Sequence, residues 1–340
     1  MTITIRDVAE AAGVSTATVS RALRGLPNVD ETTRAKVKAV ALSMDYVISP
    51  SASRLASGRT GSIGVVTPQV AGWYFSTVIS GVEAVLQQAG MDLLLMSVGD
   101  ESSPVPRNLV APRLNRRVDG VITIALAPQD AQLQSVLSLH LPTSLIGAAI
   151  AGVSTAGIDD VAAARTATQH LIDLGHQRIA VIAGAPPGEL FTAPHARYRG
   201  FTDAMREAGL AVGPALETRG YFTIAGGESA MTKLLAQRER PTAVFAMSDE
   251  MAFGAMRSVR SHGLQPGRDI SIVGIDGHDM SELLDLTTVA QPVQVLGGIA
   301  AEALMRQIRS DDGQVPTHVQ VPTQLIVRGS TAPPANLSDR

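Results

Sequence analysis

The chain has 340 residues, 45% of them apolar, which gives room for two or three domains with large cores. It has no cysteine, and this removes disulfides, thiolate metal sites and cysteine nucleophiles together. A net charge of −3 argues against a general nucleic-acid coat, yet residues 1–60 hold eight basic residues against five acids while the rest hold twenty against twenty-six. That split places any phosphate-binding surface at the N-terminus. No run approaches the roughly 20 apolar residues of a membrane span, and the start lacks a basic patch followed by an apolar stretch. The expected location is the cytoplasm, at the nucleoid, with no membrane partner.

Residues 5–26 carry the strongest local signal. Thr4 with Asp7 three residues on is a helix-start box, and Val8, Ala9 and Ala12 share one side of the short helix that follows. Gly13 stands where a tight turn between helices needs a left-handed residue. Ser15 caps a second helix over Thr16–Leu23, which buries Val19, Ala22 and Leu23 and leaves Thr16, Ala17 and Arg21 on the other side. This is the pattern of a helix-turn-helix, whose second helix presents its first residues to base edges in a DNA major groove. Capped apolar segments of this size also form plain surface hairpins. The stretch Ile5–Leu26 resembles the DNA-binding headpiece of the lactose-repressor (LacI/GalR) family, and the resemblance favours DNA. Ser15, Thr16, Ala17, Thr18, Arg21 and Asn28 make up the candidate DNA-facing set.

Pro27 breaks the second helix, and Asp30 caps a third from Glu31 to about Met44, with Val37, Val40, Ala41 and Met44 at helical spacing. Its bases Arg34, Lys36 and Lys38 are either a solvated face or phosphate contacts. Residues 47–61 read as a linker, with Pro50 fit to start a short helix too brief to stand alone in water. The family resemblance implies a hinge helix here that orders on specific DNA. It also implies that Leu55 wedges into the minor groove and kinks the duplex.

From Ser62 the chain alternates short apolar runs with amphipathic helices. Strands are expected at Ser62–Thr67, Met91–Val98, Gly120–Ile124, Thr143–Gly147, Arg178–Ala183, Glu217–Tyr221, Ala243–Ala246 and Ile270–Gly274. Helices are expected between them, among others at Phe75–Ala89, Gln129–His140, Val161–Asp173, Pro194–Ala208, Ala230–Gln237 and Asp249–His262. Gln291-Pro292 opens a last helix to Arg309, Val319–Val327 is strand-like, and residues after Gly329 read as a loose end. Alternation of this kind makes parallel sheets with helices on both faces, with ligands at the carboxyl ends of the strands.

This body resembles the type I periplasmic-binding-protein fold. The expected architecture is therefore an all-α helix-turn-helix headpiece (1–46), a hinge (47–61) and a two-lobed α/β core of two doubly wound parallel sheets (62–330). Lobe 1 would take about 62–160 and 291–321, lobe 2 about 161–290 and 322–330, and 331–340 would form the tail. The resemblance implies crossings between the lobes near Asp159-Asp160, Ala290-Gln291 and Val321–Thr323.

Signs of catalysis are thin. The seven histidines show no i, i+3 or i, i+4 pairing, and no Gly-rich loop opens a helix with phosphate-cradling spacing. The neighbouring acids Asp159-Asp160, Asp249-Glu250 and Asp276 with Asp279 sit where helix caps sit. No metal, cofactor or enzymatic activity is expected. Binding is better supported by the resemblance, in which the Arg-x-x-Gly-aromatic match falls on Arg197 and a strand-closing aspartate falls on Asp276. Ser248 matches a ligand-facing position, and Asp249 beside it reads as a cap. Trp73-Tyr74-Phe75 is a cluster of three aromatics in a chain only 3% aromatic, which offers Tyr74 and Phe75 for stacking, and Phe222 matches a cleft position. The loop before them reads Ala71-Gly72, without the family's usual Asn-Pro.

The expected function is an effector-controlled repressor. A homodimer would hold a palindromic operator, and a sugar or sugar derivative would bind between the lobes through Tyr74, Phe75, Arg197, Phe222, Ser248 and Asp276. Three other readings stay open on sequence: a sugar-binding protein without a regulatory role, a sugar-processing enzyme on a doubly wound fold, and a DNA-binding protein that senses nothing. No apolar heptad closes the chain, so a tetramerising coiled coil is not expected.

Overall fold

The computed structural model describes residues 3–23, 25–46, 59–99, 109–184, 192–310 and 315–335. The chain divides into two compact units, Met1–Gly61 and Ser62–Arg340.

The first unit has three helices, α1 (Ile5–Ala12), α2 (Thr16–Leu23) and α3 (Glu31–Ser43). Each starts on a side-chain acceptor or donor pair. Asp7 Oδ2 accepts from the Thr4 backbone N–H at 2.7 Å and from its hydroxyl at 2.8 Å. Ser15 Oγ accepts from the Thr18 N–H at 3.1 Å, and Asp30 Oδ1 accepts from the Thr33 N–H at 2.8 Å. Gly13 turns the chain between α1 and α2 at φ 66°, a conformation that a side chain would strain. The apolar stripes then close on one another through Val8, Ala12, Val19, Ala22, Val37 and Ala41.

The second unit is built on two six-stranded sheets. The first has the order β11-β5-β4-β3-β1-β2, where β1 is Ser62–Thr67, β2 Asp92–Ser97, β3 Gly120–Ile124, β4 Thr143–Ile146, β5 Ser154–Gly157 and β11 His318–Gln320. All its strands are parallel. Adjacent residues therefore serve opposite faces. Val65, Ile122 and Ile146 meet helices α4 (Trp73–Gln88) and α12 (Val293–Arg309) on one side. Val66, Val121 and Leu145 meet α5 (Ala111–Leu114) and α6 (Ala131–Leu137) on the other.

The second sheet has the order β12-β10-β9-β8-β6-β7. Its strands are β6 (Ile179–Ala183), β7 (Glu217–Arg219), β8 (Ala243–Ala246), β9 (Ser271–Asp276), β10 (Thr287–Ala290) and β12 (Gln324–Ile326). Helices α7 (Asp160–Asp173), α8 (Ala193–Glu207), α9 (Ile224–Leu235) and α10 (Asp249–Ser261) cover it, with the short α11 (Met280–Leu283) between β9 and β10. Its one departure from a parallel sheet is the edge pair β10–β12, which is antiparallel. The chain changes sheets between β5 and α7, between β10 and α12, and between β11 and β12.

Four elements differ from the sequence reading. Helix α9 begins at Ile224 rather than Ala230, and Gly226 and Gly227 sit in its first turn. Gly227 has a physical reason to lack a side chain: a Cβ there would lie 2.2 Å from the Met251 carbonyl oxygen of α10. Strands β5 and β10 went unread because Ser154–Gly157 and Thr287–Ala290 hold small and hydroxyl residues, not large apolar ones. The strand-like run Val319–Val327 is two strands in different sheets.

The C-terminal stretch is not loose as far as residue 332. Ser330 and Thr331 are buried, Ile272 donates its N–H to the Ser330 carbonyl at 2.7 Å, and Ser271 Oγ donates to the Ala332 carbonyl at 2.8 Å. That segment supplies the partners that let the polar groups at the start of β9 be buried.

Candidate functional site

In the first unit, Ser15, Thr16, Ala17 and Arg21 are exposed on α2, and Thr18 is half-buried with its hydroxyl 2.8 Å from that of Ser15. Asn28 is exposed in the turn before α3 with φ 68°. The exposed side of α2 is thus free to meet a groove while Val19 and Ala22 hold the helix to the core. Leu55 lies outside the described residues. Arg34 has a different employment from phosphate contact. Its guanidinium donates to the carbonyls of Ala22 (3.3 Å), Leu26 (2.9 Å) and Val29 (3.3 Å), tying down the carbonyl end of α2.

In the second unit a cavity of about 120 Å³ opens at the carboxyl ends of the strands of both sheets. Tyr74, Phe75, Arg197, Phe222, Ser248 and Asp276 all line it. They come from α4, α8, the loop after β7, the start of α10 and the end of β9. Asp160, Glu250, Gln291, Thr192 and Tyr221 line it as well and were missed by the sequence reading. Asp160 and Glu250 were set aside as helix-start acids; Asp159 does accept from the Ala162 N–H at 2.9 Å, which frees Asp160 for another partner.

That partner is Arg197, whose side chain is only 6% exposed. Its Nε donates to Asp160 Oδ1 at 2.7 Å, its Nη1 donates to the Met247 carbonyl, and Nη1 lies 3.6 Å from Asp276 Oδ1. Asp276 also accepts from Gln291 Nε2 at 2.8 Å. Burial pushes the Asp276 carboxyl up to about 7 against the pull of the Arg197 guanidinium, with Asp249 adding to the rise. Burial also raises Glu250 and the Tyr74 phenol.

A carboxyl raised on folding stabilises the folded state fully below its unfolded value near 4 and ceases to do so as pH rises through about 7. Asp276→Asn, which cannot ionise, should therefore gain on the wild type in Tm as pH goes from 5 to 8. A Tm difference that stays flat across that range would contradict this assignment of the titration.

Asp249 is not a cap. Ser248 takes that role, accepting from the Met251 N–H at 3.3 Å, while Asp249 is fully buried. Its carboxylate accepts from Thr288 Oγ1 (2.7 Å), Ser281 Oγ (2.8 Å) and the His278 N–H (2.9 Å). It thereby fixes the loop that carries Asp276 into the cavity. Of nine described non-glycine residues with positive φ, Ala125, Tyr221, Phe222 and Asp276 line this cavity. Backbone held in such conformations gathers where a site over-determines it.

Contacts also bridge the two halves of the unit beside the cavity. Trp73 Nε1 donates to Asp279 Oδ2 at 3.2 Å, and its ring stacks on His278 with centroids 4.6 Å apart. Thr192 Oγ1 donates to the Gly147 carbonyl at 2.5 Å. Among the described residues no cluster of three metal-ligating side chains occurs, and no helix is long and apolar enough to cross a membrane.

The second unit thus holds a buried arginine among carboxylates and aromatics, and the first holds a capped helix with one exposed side. Residues 4–49 match the family model for bacterial regulatory proteins of the lacI family, and residues 168–331 match a periplasmic-binding-protein-like domain. The HTH-type transcriptional repressor CytR of Escherichia coli is 33% identical over 336 residues, covering 96% of each chain. A lac repressor dimer bound to operator and the anti-inducer ONPF superposes with a TM-score of 0.85 at 27% identity, covering 98% of this chain and 100% of that one. A complex of the transcriptional regulator CelR with cellobiose gives 0.70 at 30% identity, covering 96% and 99%. This chain belongs to the LacI family of DNA-binding transcriptional regulators.

Proposed function

We propose that the protein is a repressor that acts as a homodimer on a palindromic operator and whose DNA affinity is set by a sugar or sugar derivative in the cavity. One observation carries the effector part: six side chains from five separate segments converge on a single cavity built around a buried, doubly paired arginine. Thr16, Ala17 and Arg21 are assigned to base reading, supported by Ser15, Thr18 and Asn28, because they share the exposed side of a helix anchored by its other side. Leu55 is assigned the minor-groove wedge on family resemblance alone. The protein works by binding rather than by turnover, in the cytoplasm at the nucleoid. An effector shifts the balance between two arrangements of the lobes only by binding one better than the other. The contacts of Trp73 with His278 and Asp279 are the groups that such a shift would break or make.

Selecting binding sites for the full chain from a randomised duplex library tests both parts. The expected yield is a two-fold symmetric sequence, bound at least tenfold more weakly by Arg21→Ala. A panel of sugars and nucleosides should then contain a compound that changes operator affinity and the fluorescence of Trp73, the single tryptophan of the chain. Asymmetric sites would remove the dimer geometry, and an affinity untouched by every compound would remove the effector.

A further inference from the structure

We infer that the cavity selects an uncharged, hydroxyl-bearing ring ligand and rejects the phosphorylated form of the same ligand. This rests on reading the cavity as the effector site. Among the described residues its lining holds three carboxylates, Asp160, Glu250 and Asp276, against one guanidinium, Arg197, and no lysine or histidine. The single cation is already committed: Asp160 lies 2.7 Å and Asp276 3.6 Å from its nitrogens, with both ion pairs buried.

Helix N-termini are the other common seat for a phosphate, and two of those at the cavity carry caps and acids of their own. Helix α7 is capped by Asp159 and carries Asp160 as its first residue. Helix α10 is capped by Ser248 and opens with Asp249 and Glu250. The Trp73 N–H that begins α4 faces the Glu250 carboxylate and pulls against its rise on burial. Helix α8 has no side-chain cap, and Pro194 in its first turn removes one of its donors. An incoming phosphate would meet an excess of negative charge, and two of the helix starts at the cavity already hold acids of their own.

Hydroxyls fit the same groups well. Carboxylates accept from them, Ser248 and Gln291 can give or take, and the guanidinium of Arg197 can give. Tyr74, Phe75, Tyr221 and Phe222 supply the apolar and stacking surface that a ring needs.

Matched pairs test this: ribose with ribose 5-phosphate, glucose with glucose 6-phosphate, and cytidine and adenosine with their 5′-monophosphates. Each is titrated into the full chain and followed by Tm and tryptophan fluorescence. The expected result is that the uncharged member of at least one pair binds and its phosphate binds at least 100-fold more weakly, the pair that responds telling sugar from nucleoside. Glu250→Gln keeps an acceptor for the Trp73 N–H while removing a charge, and should narrow that gap at least tenfold. A phosphorylated member that binds as tightly as its partner overturns the charge selectivity and leaves the cavity as the effector site. A gap that Glu250→Gln leaves unchanged also overturns it, in favour of exclusion by size. A panel in which neither column binds overturns the effector reading itself.

Discussion

Arg197→Ala lowers the stability of the two-lobed core by about 3 kcal/mol or more, the range for breaking a buried ion pair from one side. The size follows from what is left behind. Asp160 and Asp276 keep their places in the cavity wall, and the Met247 carbonyl loses its donor. Asp276 can soften the loss by taking up a proton, since burial already holds its carboxyl near 7. Arg197→Met separates charge from volume: it keeps most of the aliphatic bulk, so if unpaired carboxylates are the cause it should lose nearly as much as alanine does. Adding Asp160→Asn to Arg197→Met should then recover part of the loss. The check is urea and thermal unfolding of all three variants. A loss under about 1 kcal/mol for Arg197→Ala would show that the pair is solvated enough to stand without its cation.

Gly297→Ala and Gly298→Ala are expected to change stability in opposite directions, although the two glycines are neighbours in one helix. Helices α4 and α12 cross at van der Waals range on the first sheet. A Cβ on Gly297 would sit 2.1 Å from the Val78 carbonyl oxygen, and one on Gly81 would sit 1.9 Å from the Gln294 carbonyl oxygen. Both contacts are with backbone, which cannot swing aside, so Gly297→Ala should cost about 3 kcal/mol or more, at the upper end for overpacking. Gly298 faces a different direction, and the nearest atoms to its Cβ would be 3.9 Å away. There alanine brings only its higher helix propensity, about 0.8–1.0 kcal/mol. Unfolding of the two single variants decides the matter. Equal losses would mean that the crossing is looser than the carbonyl positions imply.

These expectations mark what could be read from the chain before it was folded. The headpiece was legible because its signals are local: Thr4 with Asp7, Gly13, Ser15 and Asp30 each act within four residues, and the structure places each on the partner expected of it. The large strands were legible for the same reason, since Ile63–Val66 and Val121–Ile124 are buried on both faces and need no neighbour to announce themselves. Strands β5 and β10 were not, because small and hydroxyl residues become strand only through the pairing offered from across the sheet.

The site divides along the same line. Arg197, Ser248 and Asp276 could be picked out from their motifs, but Asp160, Glu250 and Gln291 carry no motif, and local pattern assigned the first two to caps. Adjacent acids are chemically alike in sequence. Only the fold sends Asp159 to a backbone N–H, Asp160 to a guanidinium, Asp249 into the core and Glu250 to the cavity wall. The sequence by itself determined the longer helices and the large apolar strands, the capped second helix of the headpiece and the absence of thiol chemistry, all of which rest on residue type and short spacing. The tertiary structure decided which acid pairs with Arg197, which of two adjacent glycines must stay bare, and that the stretch through Ala332 is held against β9. Each of those depends on atoms brought together from tens to hundreds of residues apart, and no short-range pattern encodes such an approach.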